Sequence, residues 1–285
     1  MKTTALIVTI CACLAAPGGL FAQAYTEGTL SFPGAAASPV PWGIDSNDQI
    51  VGVFEDYQGS HGFLWSNGVA AQIDYPGASA TQVTAINSTS GIAGYRFDYL
   101  GNTQAVRFAG GRYIAVKNGQ SKWVTGINAA GTMVGFDNTG HGFITVNGVF
   151  TNVVPAPCTS LNAPIVEING INTAGDFVGV CIDGVNAQSL GFARIGGIDQ
   201  VISVFGQATF PAGINDSGTI AGFYVDGSGE HGFQLSGGVA SSFNLSPSST
   251  YSMTEIHAIN NKGSLVGRAY NAQTNQWVGF YALTN

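Results

Sequence analysis

Gly126-Ile127-Asn128-Ala129-Ala130-Gly131-Thr132-Met133-Val134-Gly135 is the stretch from which the architecture can be read. A small residue, Ile and Asn close a β-prone run. Asn-x-x-Gly then forms a turn, because Asn can bond its own backbone and Gly accepts positive φ. Met133-Val134-Gly135 opens a second apolar run. The same core recurs with Ile at 44, 86, 127, 171, 214 and 259, spaced 42, 41, 44, 43 and 45 residues apart. Each Ile lies eight residues before a Gly, at 52, 94, 135, 179, 222 and 267. A fixed internal period of this length marks a repeat architecture.

A second block follows each core. It is His61-Gly62-Phe63 in the first repeat, His141-Gly142-Phe143 in the third and His231-Gly232-Phe233 in the fifth. Degenerate copies are Gln104-Ala105-Val106, Leu190-Gly191-Phe192 and Val278-Gly279-Phe280. Each continues to an Asn-Gly or Gly-Gly hairpin signal or its remnant. The repeat cores span 43–68, 85–111, 126–148, 170–197, 213–238 and 258–285. In the third repeat the spacing predicts strands over 123–126, 132–137, 142–146 and 150–154. Four antiparallel strands in about 43 residues, six times over, predict an all-β fold: a six-bladed β-propeller with four antiparallel strands per blade.

The ends of the repeat pattern predict how the ring closes. A strand of the fourth type, Thr29–Phe32, precedes the first core, and the sixth repeat stops after a strand of the third type, Gly279–Leu283. The N-terminal strand is expected to complete the last blade. This makes the Ile-Asn strand innermost and puts both tight turns of each blade on one face. The opposite face carries the between-blade loops and the second-to-third loops at Glu55–Ser60, Asp98–Thr103 and Asp226–Glu230. Binding usually resides in variable loops held on a rigid scaffold.

With these motifs in view, the chain resembles the bacterial extracellular repeat family named for its His-Ala-Phe triplet (HAF repeats), written here mostly as His-Gly-Phe. The combination of Gly-Ile-Asn-x-x-Gly, His-Gly-Phe and the Pro-Gly-Ala turns at 33–35 and 76–78 carries the likeness over nearly the whole chain. It implies export and a repetitive β fold, and no established activity.

Composition limits the function. Charged residues make up 9% of the chain, net charge is −7, and its four Lys and five Arg are scattered. Phosphate binding needs clustered cations, so no nucleic-acid partner is expected. Lys2, an apolar run from Thr4 to Ala16, a helix-breaking Pro17-Gly18-Gly19 and the small-x-small site Ala22-Gln23-Ala24 predict a signal peptide over 1–24, cleaved before Tyr25. The propeller would then fill 25–285, secreted or periplasmic, as a monomer with no membrane span. Cys11 and Cys13 fall in the leader without a lipoprotein context. Cys158 and Cys181 fall on one predicted face of the fourth blade, and an oxidising compartment predicts a disulfide between them.

The candidate chemistry is sparse, with no catalytic set, metal signature or cofactor motif. His61, His141 and His231 occupy one slot on separate blades, too far apart for one ion, and read as packing groups that bond neighbouring backbone. Asp56, Asp98, Asp137, Asp183, Asp226 and Asn271 share a slot that reads as a turn former, without the alternating carboxylates of a calcium loop. Trp42, Gln82, Trp123, Glu167, Glu255 and His257 begin the inner strands at the channel mouth and break the consensus, so they form the candidate ligand site. Glu255 with His257 could act as an acid–base pair, or the six could simply fill a tapering channel. The leading expectation is a non-enzymatic binding module presenting one face to a glycan or protein partner. The alternatives are a carbohydrate-active hydrolase or lyase with a central-channel site, and a structural envelope protein.

Overall fold

The structure, a computed structural model, describes residues 8–11 and 23–285, except 90 and 147. The expected leader therefore lies outside the described residues, save for 8–11, 23 and 24. Six antiparallel sheets follow one another along the chain. The inner strands are Val40–Ile44, Ala80–Ile86, Lys122–Ile127, Ile165–Ile171, Ala208–Ile214 and Tyr251–Ile259. Each is followed outward by its hairpin neighbours, so that the first five blades hold four strands in sequence order and the sixth holds three, completed by a strand from the N-terminal end. In the third blade the strands are Lys122–Ile127, Met133–Asp137, Gly142–Val146 and Val149–Val153, within a residue of the runs expected from the repeat. A further strand, Val8–Cys11, runs parallel to the outer strand Ile198–Ser203 of the fourth blade.

The ring closes through the N-terminal strand, but with a different segment from Thr29–Phe32. Tyr25–Thr29 pairs antiparallel with Gln276–Thr284 of the sixth blade, and Leu30 N–H extends the ladder to Gly279 O at 2.8 Å. Leu30 and Phe32 leave the sheet to fill the space between blades six and one, where Phe32 stacks on Phe54 with ring centroids 3.8 Å apart. The apolar alternation of 30–32 thus serves the inter-blade core. The second-to-third connections also prove shorter than Glu55–Ser60 and Asp226–Glu230 suggest. In the first and fifth blades they are two-residue hairpins over 57–58 and 227–228, because the ladders run on to Asp56↔Gly59 and Asp226↔Gly229.

Between neighbouring blades lies the apolar core. The third-strand aromatics Phe63, Phe143, Phe192, Phe233 and Phe280 are essentially inaccessible to water. Each contributes roughly 2–3 kcal/mol by burial of a large apolar side chain. In the fourth blade, Cys158 on the short 3-10 helix Ala156–Ser160 forms a disulfide with Cys181 on the second strand. Closing a loop of this size contributes about 3 kcal/mol by the loop-entropy argument.

The repeated Asn fastens the blades to each other. Each Asn Oδ1 accepts the backbone N–H four residues on, which caps the Asn-x-x-Gly turn: Gly91 to Asn87 at 2.7 Å, Thr132 to Asn128 at 2.9 Å, Thr219 to Asn215 at 3.0 Å. Each Nδ2 donates to the backbone carbonyl of the matching residue in the next blade. The chain runs Asn87 to Asn128 (2.9 Å), Asn128 to Asn172 (3.1 Å), Asn172 to Asn215 (3.3 Å), Asn215 to Asn260 (3.1 Å) and Asn260 to Asp45 (2.7 Å). The sixth link is missing because the first blade carries Asp45, whose carboxylate caps its turn at Asn47 and Gln49 but has no N–H to donate.

Two substitutions separate these duties. Asn128→Asp keeps the capping oxygen and loses the donor to Asn172, so unfolding free energy should fall by roughly 1–2 kcal/mol. Asp45→Asn places an amide at the slot facing Asn87 and should raise stability by about 1 kcal/mol. Urea midpoints of the purified variants check both; an Asp45→Asn protein that unfolds at lower urea would mean that the break in the ring is needed.

Candidate functional site

A shared irregularity shapes the channel. Every inner strand shifts register at the residue two before its Ile: Trp42, Thr84, Thr125, Asn169, Ala212 and His257. A β-bulge bends the strand and re-aims its side chains. The bulge turns the carbonyl two residues earlier over the consensus Gly of the second strand. A Cβ on Gly52, Gly94, Gly135, Gly179, Gly222 or Gly267 would lie only 1.9–2.1 Å from that oxygen. The Ile-to-Gly spacing in the sequence is therefore the imprint of the bulge.

Two tiers of side chains line the channel as a result. The bulge tier mostly serves the scaffold. Thr84 Oγ1 donates to Val124 O at 2.6 Å, Asn169 Nδ2 to Pro211 O at 3.1 Å, and His257 Nδ1 lies 2.9 Å from Pro41 O, each reaching the next blade. Thr125 does the same to Ile168 O. The tier four before the Ile comprises Gln82, Trp123, Glu167, Phe210 and Glu255, with Val40 in the first blade. These side chains meet the ends of the second strands, where Trp123 pairs with Phe136 and Phe210 with Phe223.

The upper tier opens into a cavity of about 370 Å³ on the face opposite the tight turns. Trp42, Gln82, Trp123, Glu167, Glu255 and His257 all line it. Below it the channel narrows to about 70 Å³ at the Ile level, and again at the mouth ringed by Asp45 and the latch Asn residues. The structure thus gathers all six residues that break the consensus into one cavity. It adds an aromatic wall of Tyr95, Phe136, Phe210 and Phe223, which sequence reading missed because cross-strand register was needed to find it.

Glu255 and His257 do not form a free acid–base pair. Arg268, directly across the ladder, donates to both Glu255 oxygens at 2.8 Å. His257 Nε2 lies 3.4 Å from Glu255 Oε2, while the ring stacks on Trp42 at 4.3 Å. Burial alone would raise Glu255, but hydrogen bonds from His257 and Arg268 outweigh it and hold the carboxyl at about 2. Both side chains are almost fully buried. The network fixes a buried anion in the wall and leaves little freedom to pass a proton.

Glu230, on the third strand of the fifth blade, was not a candidate in the sequence. Burial first, and then the neighbouring Glu255 carboxylate, push it up to about 7. Its Oε2 is buried without a hydrogen-bond partner; the protonated form can donate to Glu255. The faint signal is positional. In the first and fifth blades the residue before the triplet His faces the upper-tier residue of the next blade. Ser60 does so toward Gln82, whose Nε2 donates to it at 2.6 Å, and Glu230 does so toward Glu255. In the third blade this slot is Gly140, which lies against Ile165, and the upper-tier residue of the next blade, Glu167, has no hydrogen-bond partner among the described residues. Burial pushes the Glu167 carboxyl up.

The triplet His residues bond side chains within their own blade, which corrects the expectation of neighbouring backbone. His61 Nδ1 lies 2.8 Å from Asp74 Oδ2 and its Nε2 3.2 Å from Asp56 Oδ1. His231 Nε2 lies 3.3 Å from Asp226 Oδ1, and His141 Nδ1 2.6 Å from Thr139 Oγ1. The repeated acids form Asx turns, as with Asp98, which accepts the N–H of Leu100 (2.8 Å) and Asn102 (2.9 Å). Among the described residues no group of three or more His, Cys, Asp or Glu is arranged to hold a metal ion. Among the described residues no helix is long and apolar enough to cross a membrane.

No family model matches the chain, and no curated protein is similar to it in sequence. Solved structures share its fold. It is similar to the SapL1 lectin in complex with alpha methyl fucoside, at 11% identity over 88% of this chain and 94% of that one, with a TM-score of 0.56. The β-propeller domain of the Trilobed protease from Pyrococcus furiosus is similar at 9% identity, with the same coverage and a TM-score of 0.53. A putative gluconolactonase is similar at 13% identity, covering 92% of both chains, with a TM-score of 0.50. At such identities the likeness shows a propeller and nothing finer.

The carboxylate pair gives a pH test. Because Glu230 is raised above its ordinary value, its neutral form is favoured in the folded protein. Its contribution to stability is complete below the ordinary carboxylate range and lost as pH rises through about 7. Melting temperature should therefore decline over that interval in the parent, and Glu230→Gln should flatten the decline. An unchanged slope would show that Glu230 titrates normally.

Proposed function

We propose that the chain is an exported binding module that holds a small saccharide, or the end of a larger glycan, in the cavity at its channel mouth. The single observation that carries this reading is the lining: paired aromatic rings beside amide, hydroxyl and carboxyl groups in one opening of about 370 Å³. That size falls within the range of small-molecule sites. A pyranose ring has apolar faces for stacking and a rim of hydroxyls, and this lining offers a complement to both. Exposed Tyr57 and Tyr99 at the hairpin tips of the same face could extend the contact. Export rests on the leader-like segment 1–24, the disulfide and the HAF-like repeats. The module would act as a monomer without a cofactor.

A second reading, a carbohydrate-active hydrolase or lyase, draws on Glu167, a partly buried carboxyl raised by its surroundings and uncommitted to the protein. A raised carboxyl is what a general acid requires. Against it, Glu255 is locked by Arg268.

A glycan array followed by product analysis tests both. The expected outcome is binding without turnover, weakened about tenfold or more by Trp123→Ala, since a stacked ring contributes on the order of 1–2 kcal/mol. Release of fragments would replace the leading reading with the second. Neither binding nor turnover would leave a protein partner or a structural envelope role.

A further inference from the structure

The cavity wall is chemically lopsided. On one side Gln82 is held by Ser60 and Glu255 by Arg268, so their polar groups are already engaged. On the other side Glu167 stands between Trp123 and Phe210, its counterparts in the adjoining blades. Both neighbours are braced by cross-strand stacking: Trp123 on Phe136 at 5.6 Å and 16°, Phe210 on Phe223 at 4.7 Å and 8°. Ser60 and Glu230 supply partners to Gln82 and Glu255, but the matching slot before Glu167 is Gly140, and no hydrogen bond from the described residues engages the Glu167 carboxyl.

The cavity lining contains no Lys or Arg, and Arg268 behind it is spent on Glu255. Aromatic faces carry negative potential and attract cations. A partly buried carboxylate in a cavity lined by such rings is a poor host for an anion and an under-solvated one on its own. A cation seated there would supply the missing counter-charge and gain the ring faces in the same position.

Resting on the reading of this cavity as a saccharide site, we infer that its ligand carries a protonated amine, an amino sugar residue whose ammonium sits against Glu167 between Trp123 and Phe210. The sugar ring would stack on the Trp123 side while the amine donates to the carboxylate.

Calorimetric titration of the full chain with three probes tests this: β-1,4-linked glucosamine oligomers, their N-acetylated counterparts and choline, under conditions that keep the amine protonated. The two oligomers share a backbone and differ in charge. The expected result is a preference of about tenfold or more for the free amine, weakened by salt and abolished in Glu167→Gln at unchanged melting temperature. Equal binding of both oligomers, unaffected by Glu167→Gln, would overturn the charge inference and leave the saccharide reading standing. Glu167-dependent binding of choline with no oligomer bound would support the charge and overturn the saccharide. No binding of any probe would overturn both.

Discussion

Six twisted sheets arranged about an axis must be fastened to one another where they crowd most, at their innermost strands. Here the fastening is the side-chain amide of one repeated Asn. Its oxygen is committed to the turn of its own blade and its nitrogen to the carbonyl of the next. No other residue of that size offers an acceptor and a donor on one rigid planar group. Asp preserves the turn and loses the link, as Asp45 does, and Ser lacks the reach. The position is buried in every blade, so each amide works in a low dielectric, where a satisfied network is worth most and a broken one costs most.

The bulge above this belt completes the arrangement. It lets side chains two and four before the Ile both face the axis, and it demands Gly on the second strand because a carbonyl occupies the place of a Cβ. The lower of these tiers mostly links blades through Thr, Asn and His. The upper tier has little structural duty and is where the residues differ most, from Gln82 to Trp123 to Glu167. Scaffold and specificity are thus separated by two positions along one strand.

This separation explains what the sequence could disclose. The period, the turns and the third-strand Phe residues recur because each blade needs them, and recurrence shows in a single sequence. The six consensus-breaking residues were visible for the opposite reason: in a repeat, a position freed from packing stands out. The cysteine pairing was legible from two residues on one predicted face. Hidden were features that depend on partners distant in the chain. Glu230 gains its meaning only beside Glu255, and Phe223 only once the register with Phe210 is known. The closing strand was misplaced because Leu30 and Phe32 alternate like a strand while packing between blades. Tyr25–Thr29, half exposed along an outer edge, carries a weaker pattern.

The narrowing at the Ile level sets a direction for the molecule. With about 70 Å³ there, against about 370 Å³ above, the room for a ligand is concentrated at one end of the axis. A polymer seated in the wider end would meet the molecule from that one face. If it did so by a terminus, a population of long chains would be counted by their ends, independently of their mass.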